Sequence, residues 1–139
     1  MLVAVSGGRI VGHLQLTEGP LHQEAEIKSI AVLPSHQGQG IGRTLIAAAV
    51  EVAREEARAV LLVATATAAV DTLRFYQRAG FRMRSVDRDA FTVATGYEPG
   101  AQIDGIELRD RIWLDLALDA EDESAGSPQK RPPGQGAPE

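Results

Sequence analysis

The segment Leu33-Pro34-Ser35-His36-Gln37-Gly38-Gln39-Gly40-Ile41-Gly42-Arg43 sets three glycines at alternate positions between an apolar strand pattern and a helical one. Without Cβ atoms, backbone amides there can approach a ligand closely. At a helix N-terminus those amides have no intrahelical partner and lie at the positive end of the macrodipole. The combination reads as an anion site, most naturally for a phosphate or pyrophosphate, with the formal charge of Arg43 beside it. The spacing is neither GxGxxG nor GxxxxGK[ST], which sets aside the two common nucleotide-binding geometries. An ordinary glycine-rich turn is the alternative reading of these residues taken alone.

Upstream, Leu2-Val3-Ala4-Val5 and residues 9–16 flank Ser6-Gly7-Gly8, a hairpin signal, because glycine supplies the positive φ of tight turns. A third strand is expected over residues 25–33, ended by Pro34, which has no amide hydrogen for a ladder. Downstream, residues 42–57 carry a wide apolar face of Leu45, Ile46, Ala49, Val50, Val52 and Ala53, which predicts a helix. Val60-Leu61-Leu62-Val63 is too continuously apolar to be half exposed and reads as a buried strand. Asp71 is the expected N-cap of a short helix running to Arg78, closed by Gly80 at the C′ position. Residues 81–87 and 106–116 are expected as two further strands. Strand–helix–strand–helix–strand after a hairpin predicts a mixed α/β sheet flanked by helices.

The sequence has 139 residues, 44% of them hydrophobic and 24% charged, which suits one compact domain with a real core. There is no cysteine, which excludes disulfide scaffolds, thiolate metal sites and cysteine nucleophiles. His13, His22 and His36 lack metal-site spacing, so no metal is expected. A formal charge of −5 argues against nucleic-acid partners. The longest weakly polar stretch, residues 59–70, is shorter than the roughly 18 residues of a membrane span. Met1-Leu2-Val3-Ala4-Val5-Ser6 has no leading basic segment of the kind a signal peptide shows, so a cytoplasmic location is expected. Residues 121–139 hold four prolines, three glycines and almost nothing apolar, which predicts a folded domain over 1–119 and a disordered tail over 120–139.

Two elements in order carry a resemblance. Gln37-x-x-Gly40-x-Gly42, after a strand ending Ile30-Ala31-Val32-Leu33-Pro34, is similar to the acyl-CoA pyrophosphate loop of the GNAT N-acetyltransferases. Arg74-Phe75-Tyr76-Gln77-Arg78-Ala79-Gly80-Phe81 resembles that family's FYxxxGF element. The resemblance covers roughly residues 1–118, and Ile103-Asp104-Gly105-Ile106-Glu107-Leu108-Arg109-Asp110 is similar to the ending of small bacterial members with unassigned substrates.

The resemblance implies a GNAT-like fold and acetyl-CoA as cosubstrate. It implies that the backbone of Gln37, Gly38, Gln39, Gly40, Ile41, Gly42 and Arg43 holds the pyrophosphate. It further implies that the strand at Ile30, Ala31 and Val32 splays from its parallel neighbour and binds the pantetheine arm. Tyr76 matches the tyrosine that protonates the leaving thiolate, and a phenol with a pKa of about 10 stays protonated at neutral pH. Glu26 matches a catalytic glutamate of some members, while others use a water chain, and a solvated strand residue is the alternative reading of Glu26. His22 and Glu24 are nearby substitutes, and His36 lies beside the phosphate loop. Arg74 and Arg78 share a helix face; the resemblance implies a reach to the 3′-phosphate of CoA, and a solvated helix edge is the equal alternative.

The sequence also departs from the family. Thr67 stands where many relatives carry a cofactor-binding asparagine, and a hydroxyl has no carboxamide fork. The sequence opens directly at the hairpin, whereas the family fold usually begins with a strand and one or two helices that help build the acceptor pocket. An N-terminally short fold of this kind is expected to leave a sheet edge and a helix-docking face uncovered. The implied activity is transfer of acetyl to a primary amine by direct attack in a ternary complex. A non-catalytic acyl-CoA-binding or interaction module with an incomplete acceptor site is the alternative, and a glycine loop for another phosphate ligand is a third. The acceptor is a small-molecule or peptide amine, and a homodimer is an expectation from the family.

Overall fold

The computed structural model describes residues 1–118, so the tail expected over 120–139 lies outside the described residues. The strands are β1 (Leu2–Ser6), β2 (Arg9–Glu18), β3 (Glu24–Val32), β4 (Val60–Ala66), β5 (Arg82–Asp87), β6 (Gln102–Ile103), β7 (Ile106–Glu107) and β8 (Arg111–Ala117). The helices are α1 (Ile41–Glu55) and α2 (Val70–Arg78). Strands pair in the order β1-β2-β3-β4-β8-β5, with β3 and β4 parallel and every other pair antiparallel. The mixed α/β fold expected from the sequence is therefore the one observed.

Local rules explain most of the elements. Gly7 and Gly8 both have positive φ, +58° and +79°, as a two-residue hairpin turn requires. Leu45, Ile46, Ala49 and Ala53 of α1 and Tyr76 of α2 join one core with Leu14, Ala25, Ile27, Leu61, Val63, Ile112 and Leu114 from the sheet. Both helices thus contribute to a single core. At the sheet's outer edge, Val3 and Val5 of β1 are exposed.

Two expectations need correction. Asp71 does not cap α2: Ala69 is the N-cap residue, with no side-chain cap bond. Asp71 lies in the first turn and binds Arg74 across 2.8 Å, a use of its charge that competes with capping. The last strand does not run from 106 to 116. Asp104 (φ +51°) and Gly105 (φ +84°) reverse the chain, so Ile106–Glu107 pairs back on Gln102–Ile103 as a separate ribbon. β8 begins only at Arg111 and inserts between β4 and β5.

Gly42 is a packing glycine rather than a ligand-approach glycine alone. A Cβ there would sit 3.0 and 3.1 Å from Cζ and Cε1 of Phe75, where α2 crosses the start of α1. Gly42→Ala is expected to destabilise the fold by about 1–3 kcal/mol through overpacking. Urea unfolding checks this, with a lower midpoint at an unchanged slope as the expected result.

Candidate functional site

The site begins with a break in the sheet. β3 and β4 pair only through Glu24–Ile27 against Val60–Val63. Beyond that point β3 pairs only with β2, and β4 only with β8. The divergence coincides with a β-bulge: Gln15 faces Ser29 and Leu16 faces Ile27, which leaves Lys28 as the extra residue. A bulge bends its strand and sharpens the local twist, so β3 turns away from β4 and a cleft of about 910 Å³ opens between them. Ile30, Ala31 and Val32 line one wall, Val63, Ala64 and Thr65 the other.

The glycine loop closes one end of this cleft. A 3₁₀ turn over Pro34–His36 leads in, and the Gln37 side chain donates from Nε2 to the Val32 carbonyl at 3.0 Å, tying the loop to the end of β3. Gly38 and Gly40 have φ of +80° and +85° and open space where a Cβ would stand. Gly40 is the N-cap residue of α1, and its carbonyl accepts both the amide and the hydroxyl of Thr44. Among the described residues, the amides of Gly38 through Arg43 find no protein acceptor. The first turn of α1 contains no acidic side chain. A row of unpaired donors at a helix N-terminus, with Arg43 exposed beside it, is built to receive an anion.

Tyr76 lines the same cleft from α2 and is only 4% exposed. Its ring is held by Phe75 and, edge to face, by Phe81 at 5.5 Å. Burial pushes its phenol up to about 12, because the charged phenolate would be poorly solvated. Its hydroxyl has no hydrogen-bond partner among the described residues. Arg74 and Arg78 line the cleft from the same helix, with Arg74 already paired to Asp71.

Other expected site residues fall elsewhere. Gln39 does not line the cleft, although its neighbours Gly38 and Gly40 do. Thr67 turns both its amide and its hydroxyl to the Asp110 carbonyl, at 2.9 and 3.3 Å, so its donors are used in joining two loops. Glu26 is not part of the cleft lining either; its half-buried side chain lies 3.8 Å from the ammonium of Lys28, which is. Glu24 is buried, accepts the Leu21 amide and pairs with Arg84, an arrangement that fits structure rather than proton transfer. His22 is exposed, and its carbonyl anchors Arg58. His36 does line the cleft, with Nδ1 2.9 Å from the Ser35 hydroxyl.

Among the lining residues that the sequence reading passed over, which include Ser29, Thr65 and Thr72, Lys28 is the cationic one. Its signal was available as scarcity, since Lys28 and Lys130 are the two lysines of the sequence. The bulge that carries Lys28 to the cleft leaves no mark in the alternation of β3. No group of three or more metal-ligating side chains is found among the described residues. Nor is any helix among them long and apolar enough to cross a membrane.

Comparison with known proteins agrees with this geometry. The acetyltransferase (GNAT) family matches residues 1–81. The uncharacterized N-acetyltransferase YvbK of Bacillus subtilis (strain 168) is 34% identical over 96 residues, which are 68% of this chain and 61% of that protein, so the match spans about three fifths of the relative's length. Among solved structures, an IAA acetyltransferase from Bacillus cereus is 39% identical with a TM-score of 0.75, over 84% of this chain and 75% of the other. A Bacillus subtilis acetyltransferase in complex with CoA is 31% identical with a TM-score of 0.77, over 84% and 74% respectively. The chain belongs to the GNAT family of acetyltransferases.

Proposed function

We propose that the chain transfers an acetyl group from acetyl-CoA to a primary amine, by direct attack within a ternary complex. The observation that carries this reading is the meeting of three features in one cleft. These are a row of unpaired amides at the start of α1, two strands that part beside it, and a buried tyrosine hydroxyl without a protein partner. CoA in a structural relative 31% identical to this chain supports the choice of cosubstrate.

In this reading the amides of Gly38, Gly40, Ile41, Gly42 and Arg43 hold the pyrophosphate, and Arg78 approaches the 3′-phosphate. Gln37 acts differently, through its side chain, by fixing the loop to β3. The free backbone edge at Ile30–Val32 takes the pantetheine arm as a neighbouring strand would. The amine nitrogen forms a bond to the acetyl carbonyl carbon, the carbon–sulfur bond breaks, and the electron pair leaves on sulfur. Tyr76 gives that sulfur a proton from its hydroxyl, which burial keeps protonated throughout the neutral range. Glu26 takes a proton from the amine, directly or through a water. A small-molecule or peptide amine as acceptor and a homodimer belong to this proposal as expectations from the family, and a cytoplasmic location as an expectation from the sequence.

Glu26→Gln tests the base. It is expected to lower kcat/KM for an amine acceptor by about 10²-fold or more while leaving affinity for CoA unchanged. Steady-state kinetics beside calorimetry checks both. Unchanged kcat/KM would remove Glu26 from the mechanism and leave a water chain as the base. CoA binding without turnover on any amine of a broad panel would favour the non-catalytic binding module.

A further inference from the structure

Lys28 is the one amine side chain among the described residues, and the fold puts it in the wall of the acetyl-transfer cleft. It occupies the bulge at which β3 leaves β4, so its position follows from the same irregularity that opens the cleft. Its side chain is 56% exposed, and Nζ lies 3.8 Å from Oε2 of Glu26. An amine in the cleft wall with a carboxylate beside it, just outside the lining, is the arrangement that the proposed reaction requires of its acceptor.

We propose that Lys28 is a self-acetylation site: in the absence of an external amine, the chain transfers acetyl from acetyl-CoA to its own Lys28 Nζ. This rests on the acetyltransferase reading above. The step balances with groups already named. The Lys28 ammonium gives a proton to the Glu26 carboxylate, and the freed nitrogen pair attacks the acetyl carbonyl carbon. The carbon–sulfur bond breaks, sulfur leaves with its electron pair, and Tyr76 protonates it. The second proton on nitrogen restores the Tyr76 phenol, Glu26 releases the first to solvent, and the products are CoA and an uncharged acetyl-lysine. Tethering to the cleft wall gives this amine a high effective concentration that a free amine in dilute solution lacks. The product no longer forms an ion pair with Glu26, so one turnover changes the charge of the cleft mouth.

The experiment is to incubate the full 139-residue chain with acetyl-CoA and no acceptor, then map acetyl groups by peptide mass spectrometry. Lys28 should acquire up to one acetyl group per chain, on the order of 10²-fold faster than Lys130. The rate should not depend on protein concentration, should fall in Glu26→Gln, and should vanish in Gly40→Glu. Equal modification of Lys28 and Lys130, or the same Lys28 rate in urea-unfolded chain, would mean chemical acetylation by the thioester and would overturn the inference. A rate rising with protein concentration would overturn the intramolecular step. Calorimetry with CoA, run in parallel, separates the two levels. CoA bound with Lys28 unmodified overturns the self-acetylation alone, whereas no CoA binding overturns the acetyltransferase reading with it.

Discussion

Gly40→Glu is expected to abolish measurable binding of acetyl-CoA in a chain that still folds. Gly40 has φ of +85° and nothing within 4 Å of an added Cβ, so the substitution meets strain but no clash. Left-handed backbone at a non-glycine residue costs roughly 1–2 kcal/mol, which lowers stability without removing the fold. The binding loss is larger, because a carboxylate would stand where the pyrophosphate is expected. Two unit charges about 4 Å apart near a protein surface interact by about 4 kcal/mol. That alone corresponds to about a thousandfold in affinity. Gly40→Ala carries the same backbone strain without the charge, and its affinity is expected to fall much less. Calorimetric titration of the native chain and both variants, with circular dichroism to confirm folding, checks the ranking. Native-like affinity in a folded Gly40→Glu chain would move the phosphate site off this loop.

Tyr76→Phe is the second large effect, and its two readouts move in different directions. A missing general acid lowers kcat by about 10²–10⁴-fold. Stability is expected to hold or rise, because the lost hydroxyl is buried without a partner among the described residues, and such a group carries a desolvation penalty. A purely structural tyrosine would show the reverse pattern, with activity kept. The pH dependence adds a further check. The folded phenol is held at about 12, above the ordinary value of 10.0, so the native state keeps this proton longer than the unfolded chain does. Its contribution to stability is present below about pH 10 and is lost as pH rises through about 12. Tyr76→Phe should therefore show a shallower loss of stability over that alkaline window in urea titrations. Near neutral pH, the rate profile should contain no limb from this group.

The sequence made much of this protein legible where a local rule was sufficient. The hairpin followed from Ser6-Gly7-Gly8, α1 from its apolar face, and the row of unpaired amides at the start of α1 from three glycines ahead of a helix. What it hid was set by long-range pairing. Nothing in Glu24-Ala25-Glu26-Ile27-Lys28-Ser29 marks Lys28 as the extra residue, because a bulge is defined by the strand opposite. Gly42 was read for its nearness to a ligand, whereas its contact with Phe75 depends on a helix some 30 residues later. Asp71 has the chemistry of a cap, yet Arg74 one turn on claimed its carboxylate. Thr67 was placed by family pattern, and only the folded chain shows Asp110 taking its donors. The stretch at 106–116 looked like one strand because its apolar content runs on, while residues 108–110 leave the extended ladder between Glu107 and Arg111 and divide it.

The parted strands make the sheet a pair of three-stranded leaves, β1-β2-β3 and β8-β5 with β4, stitched at one end by four residue pairs. Two backbone rims thus face each other across a gap in the middle of the sheet, where a continuous sheet would have a ladder. An extended ligand lying in that gap would serve as a bridge between the leaves, and its binding energy would add to folding stability as RT ln(1 + [L]/Kd). Amide exchange in β3 beyond Ile27 and in β4 beyond Val63 should then slow on CoA binding more than exchange at the stitched end. The seam would link cosubstrate occupancy to the integrity of the sheet.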